Sequence, residues 1–212
     1  MSDTRTETDS LGPIEVPASA LYGAQTTRAV ANFPISGLRA SPFLIRALAM
    51  IKQAAAEANQ SLGLITKEQG NAIQQAAEEI IDGQHHDHFV VDVFQAGAGV
   101  SLHMNTNEAI ANRAGQILGA PLGDYTQIHP NDHVNYGQST NDVFPTAMRL
   151  ATLLALEDLY PVLNDLAASF QTKAEEFRDI LNSGRTHMQD ATPFTLGQEF
   201  AAYAAAIRKS TQ

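Results

Sequence analysis

The sequence predicts a mainly α-helical protein, with an N-terminal helical domain that carries a short irregular or β arm, followed by the start of a bundle of long helices. Three observations predict this class. Apolar residues recur at helical spacing through most of the chain, and these stretches are rich in alanine. The stretch from about 140 to 181 also keeps one apolar stripe for far longer than an average helix of about 11–12 residues.

The composition excludes several classes of protein. A chain of 212 residues can bury a sizeable core in one large or two small domains. It has no cysteine, so disulfides and thiolate metal sites are excluded, and its formal charge of −10 argues against a nucleic-acid-binding surface. The N-terminal segment lacks the apolar core of a signal peptide, and no apolar run approaches a membrane span. We therefore expect a soluble cytoplasmic protein.

The first elements are an arm and a helix. Glycine and proline recur through residues 1–40, which predicts an irregular arm that can include one short hairpin. Ser41 and Pro42 then supply an N-cap and a first-turn proline for a helix that stops at Gly63. The apolar positions of this helix follow helical spacing: Leu44, Leu48, Ile51, Ala55, Ala58 and Leu62.

Two more helices and a loop follow. Thr66 and Gln69 form a capping-box pattern that opens a helix ending at Gly83. We expect its inward residues to be Ile73, Ala76, Ile80 and Ile81. A third helix is predicted over about 105–118. The segment between them carries His85, His86, Asp87, His88 and Asp92. Adjacent histidines seldom converge on one ion, so we interpret it as a solvated loop rather than a metal site.

The 140–181 segment predicts one very long helix, kinked at Pro145 and Pro161. Its apolar stripe comprises Leu159, Val162, Leu163, Leu166, Phe170, Ala174, Phe177 and Leu181. One further helix follows, capped by Thr195 and Gln198. Two helices do not make a bundle, so either other chains complete it or the chain is a fragment. We divide the chain into a domain of residues 1–138 and an incomplete bundle domain of residues 139–212.

Three glycine-bearing polar segments interrupt this helical pattern, at residues 95–105, 137–142 and 183–193. The second opens the long helix, whose first backbone N–H groups and positive dipole end form a natural anion site. Ser139, Thr140 and Asn141 would add directed donors without adding charge. This arrangement suits a small carboxylate that gains negative charge in a transition state, although a redundant N-cap explains the same residues.

The other polar segments leave alternatives open. Thr186 and His187 follow Gly184 and Arg185, and the histidine is either a general acid or base, a carboxylate ligand or a surface residue. Arg185 is either a carboxylate ligand or a cap for the preceding helix.

Residues 129–133 form either a second polar pocket, made by His129, Asn131, Asp132 and His133, or a turn. A dinucleotide site at Gly97 and Gly99 is excluded, because the third glycine of that motif falls at Leu102.

Four stretches together resemble the N-terminal half of the aspartase/fumarase superfamily. They read LGPIEVPASALYGAQTTRAVANFPISG, GAGVSLHMNTNEAIANRA, HPNDHVNYGQSTNDVFPTAMRLA and GRTHMQDATPFTLGQEF. The resemblance covers nearly the whole chain, from about Arg5 to Phe200. Three long motifs in the same order make it highly specific.

The resemblance implies an L-aspartase-like fold, here truncated, in which long helices associate as a homotetramer and each active site is built from several subunits. It implies anti-elimination across a Cα–Cβ bond, giving fumarate from aspartate or malate, without a metal or organic cofactor. It assigns substrate contacts to Ser101, Ser139, Thr140, Asn141, Thr186 and His187. His187 would position the substrate or act in proton transfer. A second dicarboxylate site would fall at His129, Asn131 and Asp132.

Small differences within the family favour an aspartate ammonia-lyase, with a class II fumarate hydratase as the alternative and a non-catalytic truncated chain as a third hypothesis. The sequences Ala98–Ser101 and Gln138–Asp142 are closer to those of the ammonia-lyases. Val100 stands where the family usually places a substrate-binding threonine, and His103 replaces a usual asparagine and could supply a substitute donor. The family's Gly-Ser-Ser-x-Met-Pro-x-Lys-x-Asn loop, which carries the catalytic serine base, does not occur in these 212 residues. We therefore expect the isolated chain to be inactive.

Overall fold

A computed structural model describes residues 3–211. The chain forms two compact units, the first reaching to Thr152 and the second beginning at Leu153. The division falls inside the long helix, whereas the sequence analysis put a domain boundary where that helix starts. That domain assignment stays a prediction, and the two units are described separately.

The first unit opens with an antiparallel hairpin of β1 (Thr4–Asp9) and β2 (Gly12–Pro17). This is the short hairpin predicted for the arm. A helix, α1 (Ala24–Asn32), follows where the sequence predicted irregular structure. That prediction was wrong because the cap of α1 is not local. The Glu108 carboxylate, far along the chain, accepts hydrogen bonds from the first backbone N–H groups of this helix.

Two predicted helices are confirmed with their caps. Helix α2 (Pro42–Ser61) begins after Ser41, whose hydroxyl accepts from the backbone N–H of Phe43 at 3.3 Å. Helix α3 (Lys67–Ile81) begins with the complete capping box of Thr66 and Gln69. The two helices pack on each other, and Ile73, Ala76 and Ile80 of α3 are fully buried, with Ile81 packed at the margin of the core.

Helix α4 (Val100–Ile117) runs through the core of the first unit and packs against α1 and α3. It begins five residues before the predicted start near Asn105. Its N-cap is Gly99 at φ 77°, a left-handed conformation that favours glycine. Its buried side chains include the apolar residues Leu102, Ala109, Ile110, Ala111 and Ala114 and the polar residues Ser101, His103, Asn105, Thr106, Asn107, Glu108 and Asn112.

The long helix α5 (Thr140–Glu176) has 37 residues and passes through Pro145 and Pro161 without interruption. It ends about five residues earlier than predicted. The backbone carbonyl of Phe177 accepts from the N–H of Gly197, and that of Ile180 accepts from the N–H of Leu196. These carbonyls are therefore satisfied by a later segment of the second unit rather than by continued helix.

The rest of the second unit is a hairpin and a helix. Strands β3 (Leu181–Thr186) and β4 (Gln189–Thr195) pair antiparallel where the sequence predicted loop. The turn residues His187 and Met188 both have positive φ, which is the backbone of a two-residue turn normally signalled by Asn-Gly. The sequence lacks that signal, so the hairpin was missed.

Helix α6 (Leu196–Ser210) has the predicted capping box of Thr195 and Gln198. An aromatic cluster holds α5 and α6 together, with ring centroids 5.5–6.0 Å apart: Phe170, Phe177, Phe200 and Tyr203.

Between residues 3 and 211, the structure contains no helix that is both long enough and apolar enough to cross a membrane.

Candidate functional site

The beginnings of α4 and α5 meet in the first unit. A Cβ atom added to Gly99 would collide with the ring of Phe144 in the second turn of α5. The absence of a side chain at Gly99 therefore permits the close approach of the two helices. A helix N-terminus presents unpaired N–H groups and positive partial charge, both of which favour an anion.

Ser139 is the cap of α5. Its hydroxyl accepts from the backbone N–H of Asn141 at 3.3 Å, and its carbonyl accepts from Asp142 and Val143 at 3.1 and 3.0 Å. The side chains of Ser139 and Asn141 are exposed, and Thr140 is half-buried. The segment therefore does cap the helix, as its composition predicted. It also leaves hydroxyl and amide groups at the helix start.

Behind this helix start lies a hydrogen-bonded chain of buried side chains. The Thr140 hydroxyl is 2.7 Å from Nδ1 of His103, and Nε2 of His103 is 2.7 Å from Nζ of Lys52. Lys52 is fully buried and His103 is 1% exposed. These hydrogen bonds thus connect the buried Lys52 amine to a hydroxyl at the start of α5.

Two amide oxygens complete the surroundings of Lys52. Its Nζ donates to Oδ1 of Asn135 and to Oε1 of Gln138, each at 2.9 Å. The amide nitrogens of these residues donate to the carbonyls of Gln138 and Val134 at 3.2 and 2.9 Å. These bonds fix both amides with their oxygens toward the lysine.

Burial shifts the pKa values of both Lys52 and His103. It lowers the pKa of Lys52 to about 7, because an ammonium group loses hydration there. Burial, with the charge of Lys52, lowers the pKa of His103 to about 3, and Asn135 opposes the shift only partly. The His103 ring is therefore neutral across the physiological range.

Lys52 was not among the residues predicted from the sequence. The position of Lys52 in the helix could have indicated its burial, because Leu48 and Ala56 lie four residues to either side and are both buried. A lysine on the buried stripe of a helix is unusual, because burial removes the hydration of its ammonium group. His103 was considered as a substitute substrate donor. Both of its ring nitrogens are engaged with protein groups, so it acts behind the site rather than in it.

The first turn of α4 carries the other predicted contact. Ser101 is buried, whereas Val100 is exposed at the helix start. The backbone N–H of Leu102 donates to Oε1 of Gln95 at 2.6 Å, so part of the helix end is already satisfied. The substrate role of Ser101 stays a prediction.

Thr186 and His187 lie in the second unit. Thr186 ends β3, and His187 occupies the following turn at φ 48°. Both side chains are exposed. A non-glycine residue held at positive φ stores backbone strain, which is frequent at functional positions. Their roles in substrate binding and proton transfer stay predictions.

The proposed second dicarboxylate site lies on a short π-helical turn, Pro130–Val134. Nδ1 of His129 accepts from the backbone N–H groups of Asn131 and Asp132, each at 3.2 Å. A cavity of about 250 Å³ lies beside this turn, and three carboxylates help to line it: Glu7, Asp9 and Glu108. These carboxylates do not favour a dianion, and the second site stays a prediction.

The histidine-rich loop is held by separate contacts. His85 pairs with Glu79 at 2.9 Å, and His88 accepts from the backbone N–H of Leu21 at 3.2 Å. Asp92 accepts from Ser36, Gly37 and Phe94. In the part of the chain that the structure describes, no group of three or more candidate ligands could hold a metal ion.

Comparison with known proteins identifies relatives along the whole chain. A family model described as lyase matches residues 12–212. Class II fumarate hydratase from Halobacterium salinarum is 55% identical over 208 residues, which are 98% of this chain and 44% of that protein. Aspartate ammonia-lyase from a Bacillus species is 49% identical over 211 residues, which are 100% of this chain and 45% of that protein.

A solved structure has the same fold. The structure titled fumarate lyase:delta crystallin from Brucella melitensis, in its native form, matches with a TM-score of 0.92 and 53% sequence identity. The match covers 99% of this chain and 49% of that one. The chain thus spans about half the length of the relatives that it matches.

Proposed function

This chain belongs to the lyase family whose model matches residues 12–212, and from that premise we propose that the protein carrying it catalyses a reversible anti-elimination that forms fumarate. The observation that supports this most is the meeting of the α4 and α5 N-termini beside Ser139, Thr140 and Asn141. Uncharged donors and helix ends are suited to a small dicarboxylate.

The reaction places specific demands on such a site. A base removes a proton from Cβ, and the electron pair moves into the adjacent carboxylate to give an aci-carboxylate. The leaving group then departs from Cα with its bonding pair, and the C=C bond of fumarate forms. The carboxylate gains negative charge at the first step, so fixed N–H and O–H donors around it lower the barrier.

The chain supplies the donors in this proposal. Ser101, Ser139, Thr140 and Asn141 hold the substrate, and Thr186 and His187 position it or move a proton. The general base is a serine on the Gly-Ser-Ser loop that the resemblance implies. Since these 212 residues contain no such loop, the segment by itself is inactive in this proposal.

Fumarate hydratase activity is the first candidate, with malate and fumarate as its substrates. The identity of 55% to a fumarate hydratase, against 49% to an aspartate ammonia-lyase, supports this choice. Aspartate ammonia-lyase activity is the second candidate. It is favoured by Thr140, and by Ala98 before Gly99, which follow the ammonia-lyase pattern.

The experiment is a pair of assays on the protein from the complete reading frame. Fumarate formed from malate and ammonia released from aspartate are measured in parallel. Asn141→Ala should lower kcat/KM about 10- to 100-fold, because a hydrogen bond to a charged group is lost. Asn71→Ala, an exposed asparagine on α3, is the matched control.

The outcomes separate the candidates. Turnover of malate alone identifies a hydratase, and release of ammonia from aspartate alone identifies the ammonia-lyase. A stable oligomer that binds no dicarboxylate would instead favour the non-catalytic hypothesis. Equal activity of Asn141→Ala and Asn71→Ala would show that the start of α5 is not the substrate site.

A further inference from the structure

We propose that Lys52 and His103 are positioning residues that fix the hydroxyl of Thr140 as a hydrogen-bond donor toward the bound dicarboxylate. This inference rests on the proposed function, because it needs an anion at the start of α5. It concerns two buried residues that touch no substrate themselves.

The direction of the hydrogen bonds follows from Lys52. In its charged form, which a bound dicarboxylate favours, Lys52 has three N–H donors and no acceptor. Its three partners are Oδ1 of Asn135, Oε1 of Gln138 and Nε2 of His103, at 2.9, 2.9 and 2.7 Å. The two amides are fixed with their oxygens toward the lysine. Nε2 of His103 therefore accepts the third hydrogen.

The accepting Nε2 then sets the tautomer of His103. A neutral imidazole with an accepting Nε2 carries its hydrogen on Nδ1. Nδ1 lies 2.7 Å from the Thr140 hydroxyl oxygen and donates to it. Burial and the charge of Lys52 together hold the pKa of His103 at about 3, so a second ring proton is not taken up near neutral pH.

The Thr140 hydroxyl is thereby left to act as a hydrogen-bond donor. Its oxygen accepts from His103, so its own hydrogen points elsewhere. No acceptor among residues 3–211 takes this hydrogen, since Nδ1 of His103 is the hydroxyl's hydrogen-bond partner in that range. Thr140 stands in the first turn of α5, where an anion also meets the helix N-terminus. The hydroxyl hydrogen is therefore available to a substrate carboxylate.

Lys52 also contributes charge. Burial lowers the pKa of Lys52 to about 7, and an anion bound nearby favours its charged form. A dicarboxylate at Thr140 and an ammonium at Lys52 therefore stabilise each other through His103. A lysine with only a structural role would donate hydrogen bonds to the amides of Asn135 and Gln138, and its replacement would not change dicarboxylate binding through Thr140.

The experiment is a double-mutant cycle in the complete protein, with succinate as an unreactive dicarboxylate and calorimetry as the readout. Thr140→Val should weaken succinate binding ~10- to 100-fold. Lys52→Met should weaken it ~10-fold in the wild type and less than ~2-fold in the Thr140→Val background. Equal losses in both backgrounds would overturn the proposal and leave Lys52 a structural residue.

A second pair of variants covers the case in which Lys52→Met does not fold. His103→Asn keeps an N–H donor near the position of Nδ1, and His103→Leu removes it. We expect His103→Asn to bind succinate within ~3-fold of the wild type and His103→Leu to lose ~10-fold. Equal binding by the two variants would contradict the proposal. Thermal unfolding of each variant checks that the fold is intact.

Nitrogen NMR of labelled histidine provides a readout independent of turnover. The spectrum should show a protonated Nδ1 and a bare Nε2 at His103, and the opposite tautomer would overturn the inference. If malate and aspartate both remain unreacted while succinate binding shows the expected coupling, the proposed reaction fails and the positioning role stands. If the wild type binds no succinate, both fail.

Discussion

Lys52 is a fully buried lysine next to the candidate site. Removing an ammonium group from water costs several kcal/mol unless hydrogen bonds replace its hydration. Three short bonds do so here, and one of them leads to the start of α5. A methionine would fill the same space without that cost. The lysine is therefore most simply explained by its neighbours at the candidate site.

Glu79 carries the clearest prediction of pH dependence. It forms a two-point ion pair with Arg113, at 2.5 and 2.8 Å, and this pair links α3 to α4. The hydrogen bonds from Arg113, which outweigh burial, lower the pKa of Glu79 to about 2. A carboxylate with a lowered pKa stabilises the folded state above its unfolded pKa and loses this effect as the pH falls.

Glu79→Gln should therefore lower the free energy of unfolding by about 1 kcal/mol near neutral pH, as expected for a partly exposed pair. The difference from the wild type should shrink as the pH falls from about 4.5 to about 2. Urea denaturation at several pH values measures it. Glu57→Gln, an exposed position on α2, is the control. A difference that stays constant over this range would contradict the assignment.

Among the elements, α1 depends most on a distant residue. The carboxylate of Glu108 accepts from the backbone N–H groups of Gly23, Gln25 and Thr26 at 2.9, 2.9 and 3.1 Å. Burial raises the pKa of Glu108, which these bonds oppose. A capping carboxylate from another helix replaces the local serine, threonine or aspartate that usually begins a helix.

Glu108→Ala should destabilise the first unit by about 3 kcal/mol, because buried N–H groups lose their acceptors. Amide hydrogen exchange at Gly23, Gln25 and Thr26 should accelerate more than exchange in α3. Glu108→Gln, which keeps one acceptor oxygen, should show a smaller effect in both measurements. Unchanged exchange in Glu108→Ala would show that α1 is stabilised by packing alone.

The hairpin of β3 and β4 is the element that holds His187. Positive φ at both turn residues, without a glycine, gives a strained turn. The strain fixes where the two side chains leave the hairpin. Such a constraint supports the proposed role of His187. An Asn-Gly turn would form with less strain but would not place a histidine there.

At the scale of the whole molecule, the isolated chain leaves part of α5 uncovered. Its exposed apolar side chains include Leu153, Leu159, Tyr160, Val162 and Leu166. An apolar surface of this kind usually marks an interface with another chain. It supports the prediction, implied by the family resemblance, that the long helices associate with those of other subunits.

The 212-residue chain should therefore self-associate, eluting from gel filtration well ahead of a monomer. Val162→Glu, at a position that is 61% exposed, should shift the elution toward the monomer. Leu11→Glu, at a position that is 77% exposed in the turn between β1 and β2, should not. A wild-type chain that elutes as a monomer would contradict the prediction.

The sequence alone determined the family, the helical class and most helix ends. Local signals were sufficient where the stabilising group is adjacent, as at Ser41, Thr66 and Thr195, because a cap acts over three residues. The motif at the start of α5 was also readable, because hydroxyl and amide donors at a helix N-terminus have a known chemistry.

Only the tertiary structure decided the rest. Helix α1 depends on Glu108, more than 80 residues away in the chain. Lys52 becomes part of the candidate site through three partners that lie 51 to 86 residues further along. The position of Lys52 on a buried helical stripe could be read from the sequence, but its partners and those of Glu108 could not, because hydrogen bonds between distant segments are set by how the helices pack. The sequence thus predicted which groups could face the substrate, and the packing decided which groups stand behind them.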